Sequence, residues 1–170
     1  MSGSDAPAAA GLSSSRFREV LGHFASGLTV VTSVDHQGPV GFTCQAFMSL
    51  SLEPPLVAIA PGRSSTSWPR IAPTGMFCAN VMSEDQEALC RDFAVSGADT
   101  VDKFSGVGWS PGPGGAPVLE GALAWVVCRI AQVHEAGDHE LVVGEVLDLG
   151  VDHGGRPLIF YRGGFGRFEP

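Results

Sequence analysis

Leu28-Thr29-Val30-Val31-Thr32-Ser33-Val34, then Asp35-His36-Gln37-Gly38, then Val40-Gly41-Phe42-Thr43-Cys44-Gln45-Ala46-Phe47 is the stretch on which the fold class turns. The first run is dominated by β-branched residues, the Asp-to-Gly segment carries turn chemistry, and the last run resumes an extended pattern. Together they predict an antiparallel hairpin. Working outward, further strands are expected at Leu56 to Ala60, behind Pro54 and Pro55, and at Met76 to Met82. Three more are expected at Ala122 to Val133, Glu140 to Leu149 and Pro157 to Tyr161, with Gly137-Asp138 turning between the first two.

Helices are sparse by comparison. Ser13 to Ser15 can cap one whose apolar stripe is Phe17, Val20, Leu21 and Phe24, with Gly27 as its stop. Ser65 to Ile71 allows only a short helix because of Pro69. Ser83 followed by Gln86 is a capping-box pattern, and Leu89 and Phe93 give that helix an apolar side. Ser105 to Pro117, rich in Gly and Pro around Trp109, is expected to be a long loop of the lid or mobile kind. Short strands without βαβ alternation predict a mainly β protein, an antiparallel barrel with a few peripheral helices, and argue against a doubly wound sheet.

A chain of 170 residues with 44% hydrophobic content suits one domain, expected over 13–170 behind a disordered leader at 1–12. A net charge of −8 disfavours nucleic acid and anionic membranes as partners. The four cysteines, Cys44, Cys78, Cys90 and Cys128, have no metal or redox-pair spacing and read as buried thiols of a cytoplasmic protein. His23, His36, His134 and His153 show no ligand spacing with carboxylates, so no metal is expected. No Gly-x-Gly-x-x-Gly opens a helix after a strand, which excludes dinucleotide binding in the Rossmann manner.

Two segments interrupt the apolar pattern in ways that suit a ligand. In Gly41 to Ser51, hydroxyl and amide side chains break an apolar strand, which suits either a flat heteroaromatic ring with a polar edge or a strand with one side in water. In Pro61-Gly62-Arg63-Ser64-Ser65-Thr66-Ser67-Trp68, hydroxyls and free N–H groups precede a short helix, which suits either a phosphate or ordinary capping. Asn80 in an apolar strand, Lys103-Phe104 before the long loop, and His139 beyond a turn each admit a site role and a structural one.

In this order the segments resemble the flavin reductase-like family, the reductase components of two-component flavin-dependent monooxygenases. The resemblance runs from Phe17 to Phe168 and is carried by six pieces of sequence. They are His23 to Thr32, Gly41-Phe42-Thr43, Ser49 to Leu56, Lys103-Phe104, Gly137-Asp138-His139 and Tyr161-Arg162-Gly163-Gly164-Phe165. It implies a split β-barrel of antiparallel Greek-key type that forms a homodimer, with flavin near the subunit interface. Thr43, Cys44, Gln45, Ala46, Ser49, Leu50 and Ser51 would line the ring and ribityl chain. Arg63, Ser64, Ser65 and Thr66 would meet the phosphates, with Asn80, Val81, Lys103 and Phe104 completing the pocket. His139, with Tyr161, Arg162, Gly163 and Phe165, would face the nicotinamide nucleotide.

The implied activity is hydride transfer from NADH to FAD or FMN, with reduced flavin released to a partner monooxygenase. A site that only stacks two rings needs few acid–base groups, which agrees with their scarcity here. The competing readings are a pyridoxamine phosphate oxidase-like enzyme with tightly held FMN, a non-enzymatic flavin or heme carrier, and a purely structural barrel.

Overall fold

The computed structural model describes residues 12–96, 102–152 and 154–169, so nearly all of the expected leader, and His153, lie outside the described residues. In chain order the elements are α1 (Ser14–Leu21), β1 (Ser26–Gly27), β2 (Thr29–Asp35), β3 (Gly38–Cys44), β4 (Phe47–Leu52), β5 (Pro55–Ile59), α2 (Trp68–Ile71) and β6 (Met76–Val81). They continue with α3 (Glu87–Ala94), β7 (Trp109–Pro111), β8 (Pro117–Leu119), β9 (Ala124–Ala136), β10 (His139–Val151), β11 (Leu158–Tyr161) and β12 (Gly164–Arg167).

Seven strands form one antiparallel sheet in the order β3-β2-β6-β9-β10-β5-β4. Its two outermost strands, β3 and β4, are consecutive in sequence and separated only by Gln45 and Ala46. A flat sheet of that width would hold its edges roughly 29 Å apart, whereas the Cys44-to-Phe47 link reaches about 11 Å. The sheet must therefore curl until its edges meet, and the result is a barrel left unzipped between β3 and β4. The expected barrel is borne out, and the split falls inside the stretch whose polar interruptions first drew attention.

The interior follows from alternation along these strands. Val31, Val40, Phe42, Val57, Ile59, Phe77, Cys128 and Val142 point inward, and Trp68 and Ile71 of α2 plug one end. Gly41 is required by packing: a Cβ there would stand 2.8 Å from the Phe93 ring and 2.9 Å from the Val31 carbonyl. Its absence lets α3 lie against β3. Ser83 and Gln86 form the predicted capping box ahead of α3.

Three expectations are corrected. Helix α1 ends at Leu21, because Gly22 takes the cap and its N–H donates to Arg18 O, so Gly27 is no helix stop and instead ends β1, opposite Ile159. The stripe of Phe17, Val20, Leu21 and Phe24 is exposed in the single chain rather than buried. The predicted loop at Ser105 to Pro117 contains the β7–β8 hairpin, with Gly112 N–H closing its turn on Ala116 O and Trp109 edge-on to Phe104 at 6.3 Å. Apolar Trp109 and Leu119 hold it on the core, so it is no lid. Arg162 and Gly163, both at positive φ, turn the chain between β11 and β12.

Candidate active site

The split opens into a cavity of about 830 Å³, within the usual size of a small-molecule site. Its floor is Phe42 to Met48, the end of β3 running into β4, with Ala58, Ile59 and Ala60 beside them. Gly62, Ser64 and Ser65 form one flank with His139 and Leu141, and Phe93, Ala94 and Ser96 another, while Leu21, Phe24 and Ser26 close over from the N-terminal side.

Within the floor, Thr43 Oγ1 donates to Cys90 O at 2.6 Å, which ties the strand to α3. Cys44 Sγ points at Ala46 O at 3.4 Å, and burial pushes its thiol up to about 11, so it stays protonated and unreactive. Gln45 and Ala46 are exposed to the opening. The floor thus offers apolar faces and main-chain groups, the surface a flat ring stacks on.

The hydroxyl turn is strapped to the tip of the β9–β10 hairpin. Arg63 N donates to Asp138 O, Glu140 N donates to Pro61 O, and Gly62 bridges to His139. From below, the Trp68 indole N–H donates to Glu140 Oε2 at 2.6 Å. Ser65 Oγ accepts from Trp68 N at the start of α2. His139 Nδ1 lies 2.7 Å from Asp138 Oδ1. A carboxylate only accepts, so Nδ1 donates in this bond, which fixes the orientation of the ring. Nε2 faces the turn, 3.6 Å from where a methyl on Gly62 would stand. The same bond holds the Asp138 carboxyl below its usual range.

Thr43, Cys44, Gln45, Ala46, Ser64, Ser65 and His139 are thus brought together at one cavity. The other candidate residues stand elsewhere in the single chain. Asn80 is fully buried, and its amide donates to Val30 O, Thr32 Oγ1 and Pro117 O while its oxygen accepts from Leu119 N. It is a fastening between β2, β6 and β8, with no hydrogen-bonding capacity left for a ligand. Val81 pairs with Thr29 and Ala124 within the sheet. Lys103 Nζ donates to Phe93 O, capping α3, and burial lowers its pKa. Phe104 packs edge-on against Phe93 at 5.1 Å. Lys103 and Phe104 therefore act one layer behind the cavity, by fixing Phe93.

Arg63 turns outward to Glu135 at 3.1 Å, and Thr66 is exposed. Arg70 is occupied by a two-pronged pair with Asp35 at 2.8 Å. Ser49, Leu50 and Ser51 lie along the free edge of β4. Tyr161 OH reaches His23 Nδ1 at 3.5 Å, Arg162 N donates to Gly22 O, and Phe165 lies 4.4 Å beneath the Arg91 guanidinium. The Tyr161–Phe165 hairpin thereby steadies the segment leading from α1 into β1. Sequence reasoning missed Ser26, Phe42, Phe93 and Leu141 as lining residues. Phe93 carried a signal in its place on the apolar side of α3, and Ser26 and Phe42 lie within pieces that carried the family resemblance without being singled out.

No group of three or more His, Cys, Asp or Glu side chains is placed to hold a metal among the described residues. No helix there is long and apolar enough to cross a membrane.

Residues 21–169 match the model of the flavin reductase like domain. The chain is 44% identical over 170 residues to the reductase subunit HsaB of a flavin-dependent monooxygenase of Rhodococcus jostii, covering 100% of this chain and 86% of that one. Nitrilotriacetate monooxygenase component B of Mycobacterium thermoresistibile superposes with a TM-score of 0.85 at 43% identity, over 91% of this chain and 86% of that one. An NADH:FAD oxidoreductase of Streptomyces globisporus, solved with NAD and FAD fragments, does so with a TM-score of 0.85 at 36% identity, over 92% and 93%. Barrel, split and sequence agree, and the chain belongs to the flavin reductase-like domain family.

Proposed function

We propose that the split cavity takes FAD or FMN together with NADH, and that the chain releases reduced flavin to a flavin-dependent monooxygenase in the cytoplasm. The observation that carries this is a cavity of about 830 Å³ with an apolar strand floor, a hydroxyl-bearing turn on one flank, and His139 beside that turn. When bound, the flavin accepts the hydride of the nicotinamide. The chain's own task is to hold the two rings at reacting distance.

The residues present fit that task. Phe42 to Ala46 offer the ring a flat seat, and the hydroxyls of Ser64 and Ser65 face the phosphate end. His139, its ring oriented by the Asp138 bond, presents Nε2 to the nicotinamide carboxamide. None of the described residues lining the cavity is Lys or Arg. The single chain therefore offers a diphosphate hydroxyls and no cationic side chain, which suits a flavin that must leave more than a tightly held FMN, unless a second copy supplies Arg162.

A second copy of the chain completes the proposal. Leu50 and Leu52 on β4, Leu147, Leu149 and Val151 on β10, and the α1 stripe are exposed in the single chain. A homodimer covering them would bring Ser49 to Ser51 and the Tyr161 to Phe165 hairpin of one subunit towards the other's cavity. Sedimentation should return about twice the chain mass.

The decisive assay is steady-state NADH and NADPH oxidation with FAD, FMN and riboflavin in turn. Turnover that requires added flavin and saturates with it supports the proposal. Flavin binding without NADH oxidation would instead favour a carrier.

A further inference from the structure

Among the described residues, two buried side-chain oxygens have no hydrogen-bond partner: Ser26 Oγ and Glu84 Oε2. Glu84 Oε2 has the Arg167 guanidinium at 3.9 Å and lines no part of the cavity. Ser26 has no such neighbour, and it lines the cavity.

A buried hydroxyl without a partner costs the fold free energy that an alanine would not. The main chain cannot shift to relieve it, because β1 is held by β11, Ser26 opposite Phe160 and Gly27 opposite Ile159. The side chain, by contrast, has three staggered positions about one bond. An acceptor or donor brought into the cavity is therefore the partner it lacks.

Placement says which part of a ligand that is. Thr29, three residues on, pairs with Cys44, so Ser26 approaches the cavity on the side of the Cys44-Gln45-Ala46 floor. The anion-suited turn at Gly62 to Ser65 belongs to the other flank and is anchored on Asp138 and His139. We infer that Ser26 is a ring-contacting residue whose hydroxyl hydrogen-bonds the polar edge of the bound isoalloxazine. The inference rests on the reading of the cavity as the flavin site. Leu21 and Phe24, on the same wall, would keep water from that bond.

The test titrates riboflavin, FMN and FAD by fluorescence quenching into the full chain as wild type, Ser26→Ala and Ser26→Thr, with thermal melts taken without flavin. Ser26→Ala should bind all three flavins about 3- to 10-fold more weakly, since a ring contact is common to them. Its melting temperature should not fall, and Ser26→Thr, which keeps the hydroxyl, should recover binding. Unchanged affinity in Ser26→Ala would overturn the assignment, as would a loss confined to FMN and FAD, or a lowered melting temperature accompanying the loss. A wild-type chain that quenches none of the three flavins would instead overturn the flavin reading itself.

Discussion

Asn80 and the Thr43-to-Ala46 floor look alike in sequence, each a polar interruption of an apolar strand, yet they end in opposite circumstances. Asn80 sits where β2, β6 and β8 meet in the closed part of the barrel, and all its bonding capacity is spent on main chain and Thr32. The floor lies at the split, where β3 and β4 share no ladder and Gln45 and Ala46 face an opening. The difference teaches that in this barrel a polar residue is consumed by the fold where the sheet is zipped, as Asn80 and Thr43 are, and is left facing an opening where it is not, as Gln45 is. Position relative to the closure decides, and residue type does not.

The strongest way to break the comparison is Asn80→Ala. It strands the Leu119 N–H and loosens the β7–β8 hairpin, and should cost about 3 to 4 kcal/mol in denaturant unfolding, while folded protein still binds flavin. A variant of native stability that has lost flavin binding would return Asn80 to the site. His139→Ala should do the reverse: a fall of about 10- to 100-fold in kcat/KM for NADH, little change in unfolding, and flavin affinity nearly intact.

Asp35→Asn probes a polar pair that, like Asn80, serves the fold. Arg70 holds the Asp35 carboxyl well below the usual carboxylate range, chiefly through the hydrogen-bonded pair. Because the folded-state pKa is depressed, the pair stabilises fully above the ordinary carboxylate pKa and loses its contribution as pH falls towards the folded value. The variant should melt lower at neutral pH, and its deficit against wild type should shrink in acid. The smallest effect is expected of Arg63→Ala. Its pair with Glu135 is exposed on both sides, and such pairs are worth little, so NADH oxidation should change by less than about 3-fold.

How much the sequence revealed follows the same line. The hairpin at Leu28 to Phe47, the Gly137-Asp138 turn and the capping box at Ser83 were legible because each rests on local chemistry that tertiary packing did not override. The β7–β8 hairpin was hidden because its strands are three residues long, each carries a Pro, and the turn between them is Gly-rich. Helix α1 was read too long because Phe24 continues the apolar stripe past Gly22. For the site, the floor and the hydroxyl turn were legible as polar breaks in apolar strands. Ser26 and Phe93 were not, since what brings them to the cavity is the curl of the sheet and the close approach at Gly41. Lys103-Phe104 was recognisable as a motif, but only the structure shows its hydrogen bond to Phe93 O.

The central claim is that the unzipped seam between β3 and β4 is where flavin sits. Ala46 is exposed at that seam and lines the cavity, so Ala46→Trp fills the seat without crowding the core. A flavin titration of this variant beside wild type, with melting checked in parallel, should show at least about a 10-fold weaker dissociation constant at unchanged melting temperature. Undiminished flavin binding by Ala46→Trp would place the flavin elsewhere and contradict the account.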